Sequence, residues 1–425
     1  MKEGWIEKRM KDLCDFVNRG ATPNYVDFSL YKVVNQATFS KGFWDTDNIR
    51  YSTNNKKEAL IQKGDLLVAS TGGGVLGKVF YFEENENNYY ADSHVTIMRS
   101  SRNQTNIKYL YYLFSINYLL INSLLAKGST NQTELQRNKL LDFTLFLPPL
   151  PEQTAIANYL DKKTTWIANQ ITLLEKKRDT YLRLKKSLIN KVITKGLNPN
   201  VELKDSGIDW MGKIPKHWEV KRVKDIGYMY SGLSGKSGED FRNEDEAKNK
   251  YFIPYTNILN NLYLNPSLVK PVVIEDGEKQ NRIQKGDLFF LMSSEDYESI
   301  GKTSVLNENV SEIYLNSFCK GVRITDKSVY PPFINYQLLS DKFRDGLRFE
   351  ARGFTRINLK IDKVMGMTVC IPPSFSEQQE IADHLDQQSP KIDTIVSNIN
   401  TQVQKLQTLR KSLINEVVTG ERSIV

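Results

Sequence analysis

Three short segments have residue types that could bind phosphate or act on a nucleobase, and each departs from the pattern that its chemistry requires. The run 232–237 ends in Gly-Lys-Ser like a phosphate-binding loop, but the first glycine of that motif would fall on Tyr230. The glycine-rich run 72–77 opens no clear helix, which favours a tight turn between strands. The segment 330–333 places a tyrosine before Pro-Pro-Phe, where an amino-methyltransferase needs Asp, Asn or Ser. The sequence therefore predicts no catalytic residue, and an enzyme whose motifs have diverged remains an alternative.

Metal binding and disulfide bonding are not indicated either. The three histidines lie far apart and form no ligand pattern with the three cysteines or with acidic residues. The sequence predicts no metal site and no bound cofactor in this chain. No apolar run of about 18 residues and no signal peptide is found, so we expect a protein of the reducing cytoplasm with no membrane partner.

Polar and basic side chains suited to nucleic-acid recognition occur in loops instead. Arginine can pair with guanine or grip phosphate, and asparagine or glutamine can pair with adenine. The net charge of +8 and the pI of about 9.0 give modest support for a polyanionic partner. For each residue taken singly, a solvated polar loop is the alternative. The candidate contact residues are Arg19, Thr22, Ser70, Thr71, Lys78, Lys127, Ser129, Asn131, Gln132, Ser234, Lys236, Ser237, Ser293, Ser294, Lys302, Arg352, Thr355, Arg356 and Asn358.

These loops occupy corresponding places in two copies of one long repeat. Ile-Gln-Lys-Gly-Asp-Leu occurs at 61–66 and again at 283–288. Trp5 and Trp218 open similar segments near the start of each copy. A repeat this long is a whole domain plus a helix rather than a short solenoid unit. Two such copies predict pseudo-twofold symmetry, which suggests a ligand that also comes in two halves.

The first part of each copy, over residues 1–150 and 218–373, is predicted to be an α+β domain. Apolar runs bounded by turn residues predict strands, and longer runs predict one helix in each copy. The duplicated Lys63 and Lys285 precede Gly-Asp and are predicted to be turn residues. The predicted strands are 66–70, 79–82, 95–98, 288–292 and 321–324, and the predicted helices are 109–125 and 334–349.

The second part of each copy is predicted to be a long helix, over 151–196 and 374–420. Pro151 with Glu152 suits one helix start, and Ser374 or Ser376 can cap the other. Gly196 and Gly420 are suitable C-terminal caps. A linker at 197–217 joins the copies, and residues 421–425 form a tail.

A helix break and then a heptad pattern are expected within each of these segments. Pro390 cannot donate a backbone hydrogen bond, so a break is predicted at Ser389-Pro390 and at the aligned Thr164-Thr165. Steps of four and three beyond the break predict a coiled-coil seam. The seam residues are Leu174, Tyr181, Leu188, Val192, Ile399, Val403, Leu406, Leu413 and Val417. Further apolar residues are predicted to dock partner helices, with burial inside the helix pair as the alternative: Trp166, Ile167, Leu182, Ile189, Ile193 and Ile414.

About 30 residues between break and cap correspond to roughly 45 Å of helix. The first helix leaves the first domain and delivers the chain to the second. An antiparallel second helix would return the chain without a long connection, so we favour an antiparallel pair. The alternative is that each helix packs separately against its own domain.

Three motifs resemble those of the specificity subunits of type I restriction–modification systems. The first is the inter-repeat segment 204–218, KDSGIDWMGKIPKHW. The second is the helix start 148–161, with the pattern PPL-x-EQ-x-x-I-A-x-x-L-D. The third is KSLIN-x-V-x-T at 186–194 and 411–419. The resemblance covers nearly the whole chain and is weakest inside the α+β domains.

The resemblance implies two tandem-duplicated α+β target-recognition domains separated by a two-helix antiparallel coiled coil, each recognising half of a bipartite site in double-stranded DNA. It implies a non-catalytic chain in a bacterial or archaeal cytoplasm. Two methyltransferase subunits would dock on the helices and carry S-adenosylmethionine. Restriction and translocase subunits would use ATP and Mg²⁺. Because roughly 45 Å of helix exceeds one turn of B-DNA, about 34 Å, the helices are expected to set the spacer. A coiled-coil adaptor that binds only proteins is a further alternative.

Overall fold

The computed structural model describes residues 4–53, 56–72, 74–100, 104–127, 133–208, 211–241, 249–353 and 355–424. The chain divides into two compact units. The first unit consists of Met1–Glu175 and Asn400–Val425, and the second unit consists of Lys176–Ile399. Two long helices contribute to both units.

Among the residues that the structure describes, the first unit contains twelve strands and the first four helices. Its strands are β1 (Ile6–Arg9), β2 (Phe16–Arg19), β3 (Tyr25–Val26), β4 (Tyr31–Val34), β5 (Arg50–Ser52), β6 (Leu66–Ala69), β7 (Val79–Tyr81), β8 (Tyr89–Ala91), β9 (Val95–Arg99), β10 (Ala126–Lys127), β11 (Glu134–Leu135) and β12 (Thr144–Leu147). Its helices are α1 (Met10–Leu13), α2 (Ile107–Ile116), α3 (Tyr118–Leu125) and α4 (Arg137–Asp142), followed by the long helix α5 (Leu150–Lys195), which continues into the second unit. Short 3-10 helices lie at Gln36–Thr38, Thr46–Asn48 and Lys57–Ala59.

The main sheet of the first unit has the strand order β2-β9-β6-β7, with antiparallel neighbours throughout. Strand β6 is apolar at every position because both of its faces are covered. Leu66 and Val68 pack in a core cluster with α2, whereas Leu67 and Ala69 pack in a second cluster on the opposite face. A second sheet, β3-β5-β4-β8, contains the parallel pair β4 and β8.

The second unit repeats this plan with its own set of elements. Its strands are β13 (Leu203–Asp205), β14 (Lys213–Pro215), β15 (Glu219–Arg222), β16 (Gly227–Ser231), β17 (Asn249–Ile253), β18 (Lys270–Val273), β19 (Leu288–Leu291), β20 (Ser293–Ser294), β21 (Thr303–Val305), β22 (Ile313–Leu315), β23 (Cys319–Ile324), β24 (Ile357–Asn358) and β25 (Thr368–Ile371). Its helices are α6 (Val223–Ile226), α7 (Tyr255–Asn260), α8 (Pro331–Leu339), α9 (Asp341–Glu350) and α10 (Ile361–Met365), with a 3-10 helix at Glu239–Phe241. The last helix is α11 (Phe375–Val418), which ends in the first unit.

The strand order of the second unit matches that of the first. Its main sheet is β16-β23-β19-β21, and its smaller sheet, β18-β17-β22, again contains a parallel pair, β17 and β22. Strand β19 places alternate residues in two core clusters, as β6 does. The pairs β1–β12 and β15–β25 are likewise equivalent. The sequence duplication is therefore a duplication of fold.

The repeated hexapeptide forms the same buried ion pair in both units. Asp65 receives two hydrogen bonds from the Arg99 guanidinium, at 2.6 and 2.7 Å, and Asp287 receives two from Arg323, at 3.0 and 2.8 Å. Burial raises the pKa of the Asp65 carboxyl, while the Arg99 guanidinium acts in the opposite direction. Lys63 and Lys285 lie in the turns before these strands, as predicted. The duplicated motif is thus structural.

Matching glutamines fasten the start of each long helix to its own unit. Gln153 donates to the carbonyl of Pro148 at 2.9 Å and accepts from the Thr105 hydroxyl at 2.7 Å. Gln378 donates to the carbonyl of Pro372 at 2.8 Å and accepts from the Tyr330 amide at 2.7 Å. Buried amides of this kind require partners, so the Glu-Gln motif fixes the direction in which each helix leaves its domain.

Helices α5 and α11 pack together in antiparallel order, as predicted. In the first unit, Ile167 from the early half of α5 shares a core cluster with Leu413 from the late half of α11. In the second unit, Ile193 from the late half of α5 shares a cluster with Leu385 from the early half of α11. The second unit also contains the ion pair between Lys185 and Asp393, at 2.7 Å.

The predicted helix breaks are wrong. Helix α5 is continuous over 46 residues, and α11 continues over 44 residues with Pro390 inside it. Packing on both sides of the proline, through Leu385 and Ile392, outweighs a helix-interior proline cost of about 3 kcal/mol. The predicted helix starts and C-terminal caps fit the structure. Ser374 Oγ accepts from the Glu377 amide at 3.3 Å, and Gly196 has a φ of 72°.

Each of the two helices predicted within the α+β domains is instead a pair of shorter helices. Asn117 separates α2 from α3, and Ser340 separates α8 from α9. Asn117 Nδ2 donates to the carbonyl of Leu113 at 2.9 Å, and Ser340 Oγ donates to the carbonyl of Gln337 at 2.7 Å. These side chains take carbonyls that the next helical turn would have used.

The seam and docking candidates have mixed positions. Of the seam residues, five are buried, namely Val192, Ile399, Val403, Leu413 and Val417. Leu188 and Leu406 are partly buried against the cores, and Leu174 and Tyr181 have intermediate exposure. Three docking candidates lie in the cores of their own units, so the structure corrects their assignment to a partner surface: Ile167, Ile193 and Ile414. Ile189 is partly buried, whereas Trp166 and Leu182 are 55% and 40% exposed.

Candidate nucleic-acid interface

In the second unit, a short strand pair brings two of the predicted loops together. Strand β20 pairs antiparallel with β24, with Ser293 opposite Asn358 and Ser294 opposite Ile357. The ladder is extended by the Leu359 amide, which donates to the carbonyl of Met292 at 3.0 Å. The loop after β19 and the loop before α10 therefore share one edge of this unit.

The hairpin before β24 presents Arg356 at this edge. Arg352 and Asn358 exchange two backbone hydrogen bonds, at 3.1 and 2.9 Å, which close the hairpin. The Arg352 guanidinium also donates to the carbonyl of Ala351 at 2.8 Å, so part of its bonding capacity is used internally. Gly353 has a φ of 144°, and a Cβ there would lie 2.0 Å from the carbonyl oxygen of Arg356. Thr355 and Arg356 are exposed.

A cavity of about 200 Å³ opens at the same edge. Ser293, Ser294, Asp296, Ser299, Phe318 and Arg356 contribute to its lining. The Arg356 guanidinium carbon lies 4.7 Å from the ring centre of Phe318, a cation–π geometry that orients it. The Ser293 hydroxyl is buried without a hydrogen-bond partner among the described residues.

Two arginines of α9 fix the loop that carries Asp296. Buried Arg344 donates through Nη2 to the carbonyls of Glu298, at 2.5 Å, and Ile300, at 3.2 Å. Arg348 Nε donates to the carbonyl of Tyr297 at 3.1 Å. Burial lowers the pKa of the Arg344 guanidinium to about 10. The loop is therefore tied to a helix through its own backbone carbonyls.

The Asp296 carboxylate is ionised and oriented within this loop. Its Oδ1 accepts from the Ser299 amide at 2.7 Å, and hydrogen bonding by Ser299 holds the pKa of the Asp296 carboxyl below its usual value. The Asp296 amide in turn donates to Ser294 Oγ at 3.3 Å. At neutral pH this side chain can only accept hydrogen bonds.

The first unit forms an equivalent edge with different side chains. Thr71 forms a β-bridge with Glu134, as Ser293 does with Asn358. The Thr71 hydroxyl lies 2.9 Å from His94 Nδ1. Arg19 forms an ion pair with Glu134, and burial lowers the pKa of its guanidinium. The structure thus brings together Arg19 and Thr71 from two of the predicted loops.

The backbone pairing also aligns the two units residue by residue. The Ser70 amide donates to the carbonyl of His94 at 2.8 Å, and the Met292 amide donates to the carbonyl of Phe318 at 3.2 Å. Ser70 therefore corresponds to Met292, and His94 corresponds to Phe318. The prediction of a DNA contact at Ser70 is wrong, because its side chain is buried and its hydroxyl lies 2.6 Å from the Thr96 hydroxyl.

The prediction for Lys236 is corrected in the same way. Its side chain is only 6% exposed and pairs with Glu278 at 2.5 Å. Ser237 donates to Asp240 through its amide at 2.6 Å, and the Ser234 amide donates to Gln280 at 3.1 Å. The positive charge of Lys236 is therefore paired within the protein rather than presented to solvent.

Lys78 and Lys302 lie in equivalent clefts, each within its own unit. Lys78 lines a cleft of about 760 Å³ with residues of α5 and α11, including Ile171 and Arg410. Lys302 lines a cleft of about 600 Å³ with other residues of the same two helices. Neither lysine lines the 200 Å³ cavity described above. Lys78 and Lys302 therefore line clefts that are separate from the cavity formed by the loops of Ser293 and Arg356.

The structure describes only some of the remaining candidate contact residues. Ser129, Asn131 and Gln132 lie outside the described residues. Lys127 belongs to β10, where its backbone pairs with Glu134, and Thr22 is exposed after β2. The sequence reasoning missed Asp296, Phe318 and His94. Asp296 lies two residues after the predicted contact Ser294, but the pattern of basic and neutral polar residues that predicts nucleic-acid contacts does not include acidic residues.

Two general properties of the described residues bear on chemistry. Within the described ranges, no group of three or more His, Cys, Asp or Glu side chains is arranged to hold a metal ion. A search of the same ranges finds no helix long and apolar enough to span a membrane.

Comparison with known proteins gives consistent matches along the chain. Residues 2–179 and 215–405 match the family model described as type I restriction modification DNA specificity domain. The specificity subunit described for the type I restriction enzyme MjaX of Methanocaldococcus jannaschii is 24% identical, covering 99% of this chain and 94% of that protein. The MjaVIII specificity subunit of the same organism is 21% identical, covering 86% and 80%.

Two solved structures share the fold. A chain from work on complex assembly and conformational transition of the type I R-M system matches with a TM-score of 0.70 at 14% identity, covering 98% of both chains. The HsdS subunit from Thermoanaerobacter tengcongensis matches with a TM-score of 0.56 at 14% identity, covering 99% of this chain and 98% of that one.

Proposed function

Because this chain belongs to the type I restriction–modification DNA specificity family, we propose that it is the DNA-recognition subunit of such a system and has no catalytic activity of its own. Each unit recognises one half of a bipartite site in double-stranded DNA. The paired helices set the spacer and dock two methyltransferase subunits, which carry S-adenosylmethionine. Restriction subunits that use ATP and Mg²⁺ complete the complex in the cytoplasm of a bacterial or archaeal host.

The observation that carries this proposal is the equivalent edge in the two units. A short β-bridge holds the same two loops together in each, Thr71 with Glu134 and Ser293 with Asn358. The side chains around the bridge differ, with His94 in one unit and Phe318 in the other. The same backbone with different side chains suits two domains that recognise different bases, because bases are distinguished by their edge hydrogen bonds.

Exchange of one unit tests this modular arrangement. Residues 218–373 are replaced by the corresponding segment of another family member, and the site bound by the purified complex is determined. We expect one block of the site to change and the other block and the spacer to stay. A simultaneous change in both blocks would contradict recognition by separate units.

Helix length provides a separate test of the spacer. One heptad is added to α5 and one to α11, which lengthens each helix by about 10 Å. We expect the preferred spacer to lengthen while both blocks are retained, since the edges themselves are untouched. An unchanged spacer would show that the helices do not set it.

Exposed apolar residues on α5 support the docking role. Trp166 and Leu182 have no place in the unit cores, and exposed large apolar side chains on a helix favour a partner surface. Trp166→Ala and Leu182→Ala are expected to weaken association with the methyltransferase subunits while leaving DNA binding by the chain intact. Leu268→Ala, at a side chain that is 52% exposed in the second unit, is the matched control.

Two measurements separate this function from the alternatives. The purified chain alone, given S-adenosylmethionine and DNA, is expected to transfer no methyl group, whereas a self-contained methyltransferase would. DNA affinity is expected to fall steeply with salt, because phosphate contacts release counterions. An adaptor that binds only proteins would show no such affinity.

A further inference from the structure

The cavity of the second unit combines two charged side chains with opposite hydrogen-bonding character. Arg356 can only donate hydrogen bonds, and ionised Asp296 can only accept them. Both side chains line the same space of about 200 Å³. A ligand that satisfies both must present acceptors and a donor close together.

Both groups are held in place before any ligand binds. The ring of Phe318 orients Arg356, and the Ser299 amide orients Asp296. Arg344 and Arg348 bind three carbonyls of the loop that follows Asp296. Pre-organisation lowers the entropic cost of ordering long side chains on binding. The fixed positions of Arg356 and Asp296 therefore suit discrimination between ligands by their donors and acceptors, and not only electrostatic attraction of any anion.

A G·C base pair meets these requirements in the major groove. Guanine presents two acceptors, O6 and N7, that suit the two-pronged guanidinium, and cytosine presents the N4 amino donor that suits a carboxylate. An A·T pair offers an amino donor, but it has no pair of adjacent acceptors on one base for the arginine.

We propose that this cavity recognises a G·C pair, with Arg356 donating to guanine and Asp296 accepting from cytosine N4. The assignment rests on the proposed function and names one base pair of the half-site that the second unit recognises. The first unit has His94 in the place of Phe318, and its equivalent loop continues from Thr71 into Gly72 rather than into an acidic segment. The preference therefore belongs to one half-site.

The test starts from binding selections with the complete complex, using wild type, Asp296→Asn and Arg356→Gln. We expect wild type to require G·C at one position of the second block. Each variant should lose about 10- to 100-fold of that discrimination, which corresponds to one specific base contact. The first block serves as an internal control and should be unchanged. Equal weakening on all sequences would overturn the assignment, since it would indicate a phosphate contact.

Base analogues then test the atoms involved. Replacing the guanine by 7-deazaguanine removes N7 and should weaken wild-type binding about 10-fold, whereas inosine, which lacks only the minor-groove amino group, should bind as guanine does. The 7-deazaguanine effect should disappear in Arg356→Ala, whose side chain has no donor for N7, because the two changes remove the same contact. A 7-deazaguanine effect that persists in the variant would refute the role of Arg356.

Glu295→Gln is the matched control for charge, because Glu295 also lines the cavity and its replacement removes the same charge as Asp296→Asn. We expect base preference to be retained in Glu295→Gln. Loss of preference there, but not in Asp296→Asn, would overturn the assignment to Asp296. A wild-type selection with two blocks but no G·C requirement in the second would end this inference and leave the proposed function standing. A selection without two blocks would reject the proposed function itself.

Discussion

Removing the Asp287 carboxylate should destabilise the second unit strongly. This carboxylate accepts from Arg323 Nε and Nη2, at 3.0 and 2.8 Å, from the Tyr230 hydroxyl at 2.6 Å and from the Gln284 amide at 2.8 Å. Asp287 is buried, and Asp287→Ala leaves the partly buried Arg323 guanidinium without its carboxylate partner. Breaking a buried ion pair in this way costs about 3–5 kcal/mol.

The first unit provides a matched comparison. Asp65 accepts from Arg99 and from the Gln62 amide, but the strand registers align Tyr230 with Asn18, and the ring under the Arg99 guanidinium is that of Phe16, which has no hydroxyl. Because Asp65 lacks the tyrosine hydrogen bond, Asp65→Ala should cost about 1 kcal/mol less than Asp287→Ala. Glu202→Ala removes an exposed pair with Lys216 and should cost less than about 1 kcal/mol.

Urea unfolding and hydrogen exchange in each unit can measure these differences. With a urea dependence of about 2 kcal/mol/M, the loss for Asp287→Ala corresponds to a midpoint lower by about 2 M. Hydrogen exchange shows whether the protection is lost in the second unit, which matters because two units need not unfold together. If Asp287→Ala cost no more than Glu202→Ala, the duplicated hexapeptide would not be a structural ion pair.

Three further predictions concern local packing. Burial raises the pKa of three cysteine thiols to about 12, those of Cys14, Cys319 and Cys370. A thiol reagent at pH 8 should therefore label none of these cysteines in the folded chain and all of them in denaturant. Rapid labelling of the folded chain would contradict their burial. Pro390→Ala restores a backbone donor inside α11 and should raise the free energy of unfolding by about 1–3 kcal/mol, and a lower urea midpoint would show that the proline fits the helix better than alanine. Gly20→Ala and Gly232→Ala place a Cβ 2.2 and 2.1 Å from backbone oxygens and should greatly reduce the yield of folded protein, whereas Gly238→Ala, with open space around it, should be tolerated.

The repeat and the alternating burial of its strands could be predicted because both are written in local residue patterns. An uninterrupted apolar run such as 288–291 must have both faces covered, and the structure covers them with separate clusters. The antiparallel helix pair could also be predicted, since a parallel pair would need a long connection.

Tertiary contacts account for the predictions that were wrong. Pro390 stays within α11 because packing on both sides outweighs its local preference. Lys236 is engaged by Glu278, which is distant in sequence, so its position in a basic turn does not reveal its partner. Ser70 corresponds to Met292 and faces inward, and its polar side chain does not reveal its burial, because successive residues of a strand alternate between two faces that only the tertiary structure covers.

The candidate interface was predictable only as a set of loops. Sequence spacing placed Arg356 and Ser293 in two different loops, each with a counterpart in the other copy of the repeat, but it did not show that the two loops lie beside each other. Their proximity depends on the pairing of β20 with β24, and the acceptor Asp296 becomes evident only when the cavity is seen as a whole.

Selection of bound duplexes from a fully randomised DNA library tests the central claim most directly. The purified complex is incubated with the library at several salt concentrations, and the recovered sequences are aligned. Two units with equivalent edges predict two short conserved blocks separated by an unspecified spacer of constant length. A single uninterrupted block, or recovery without any sequence preference, would contradict recognition of one half-site by each unit.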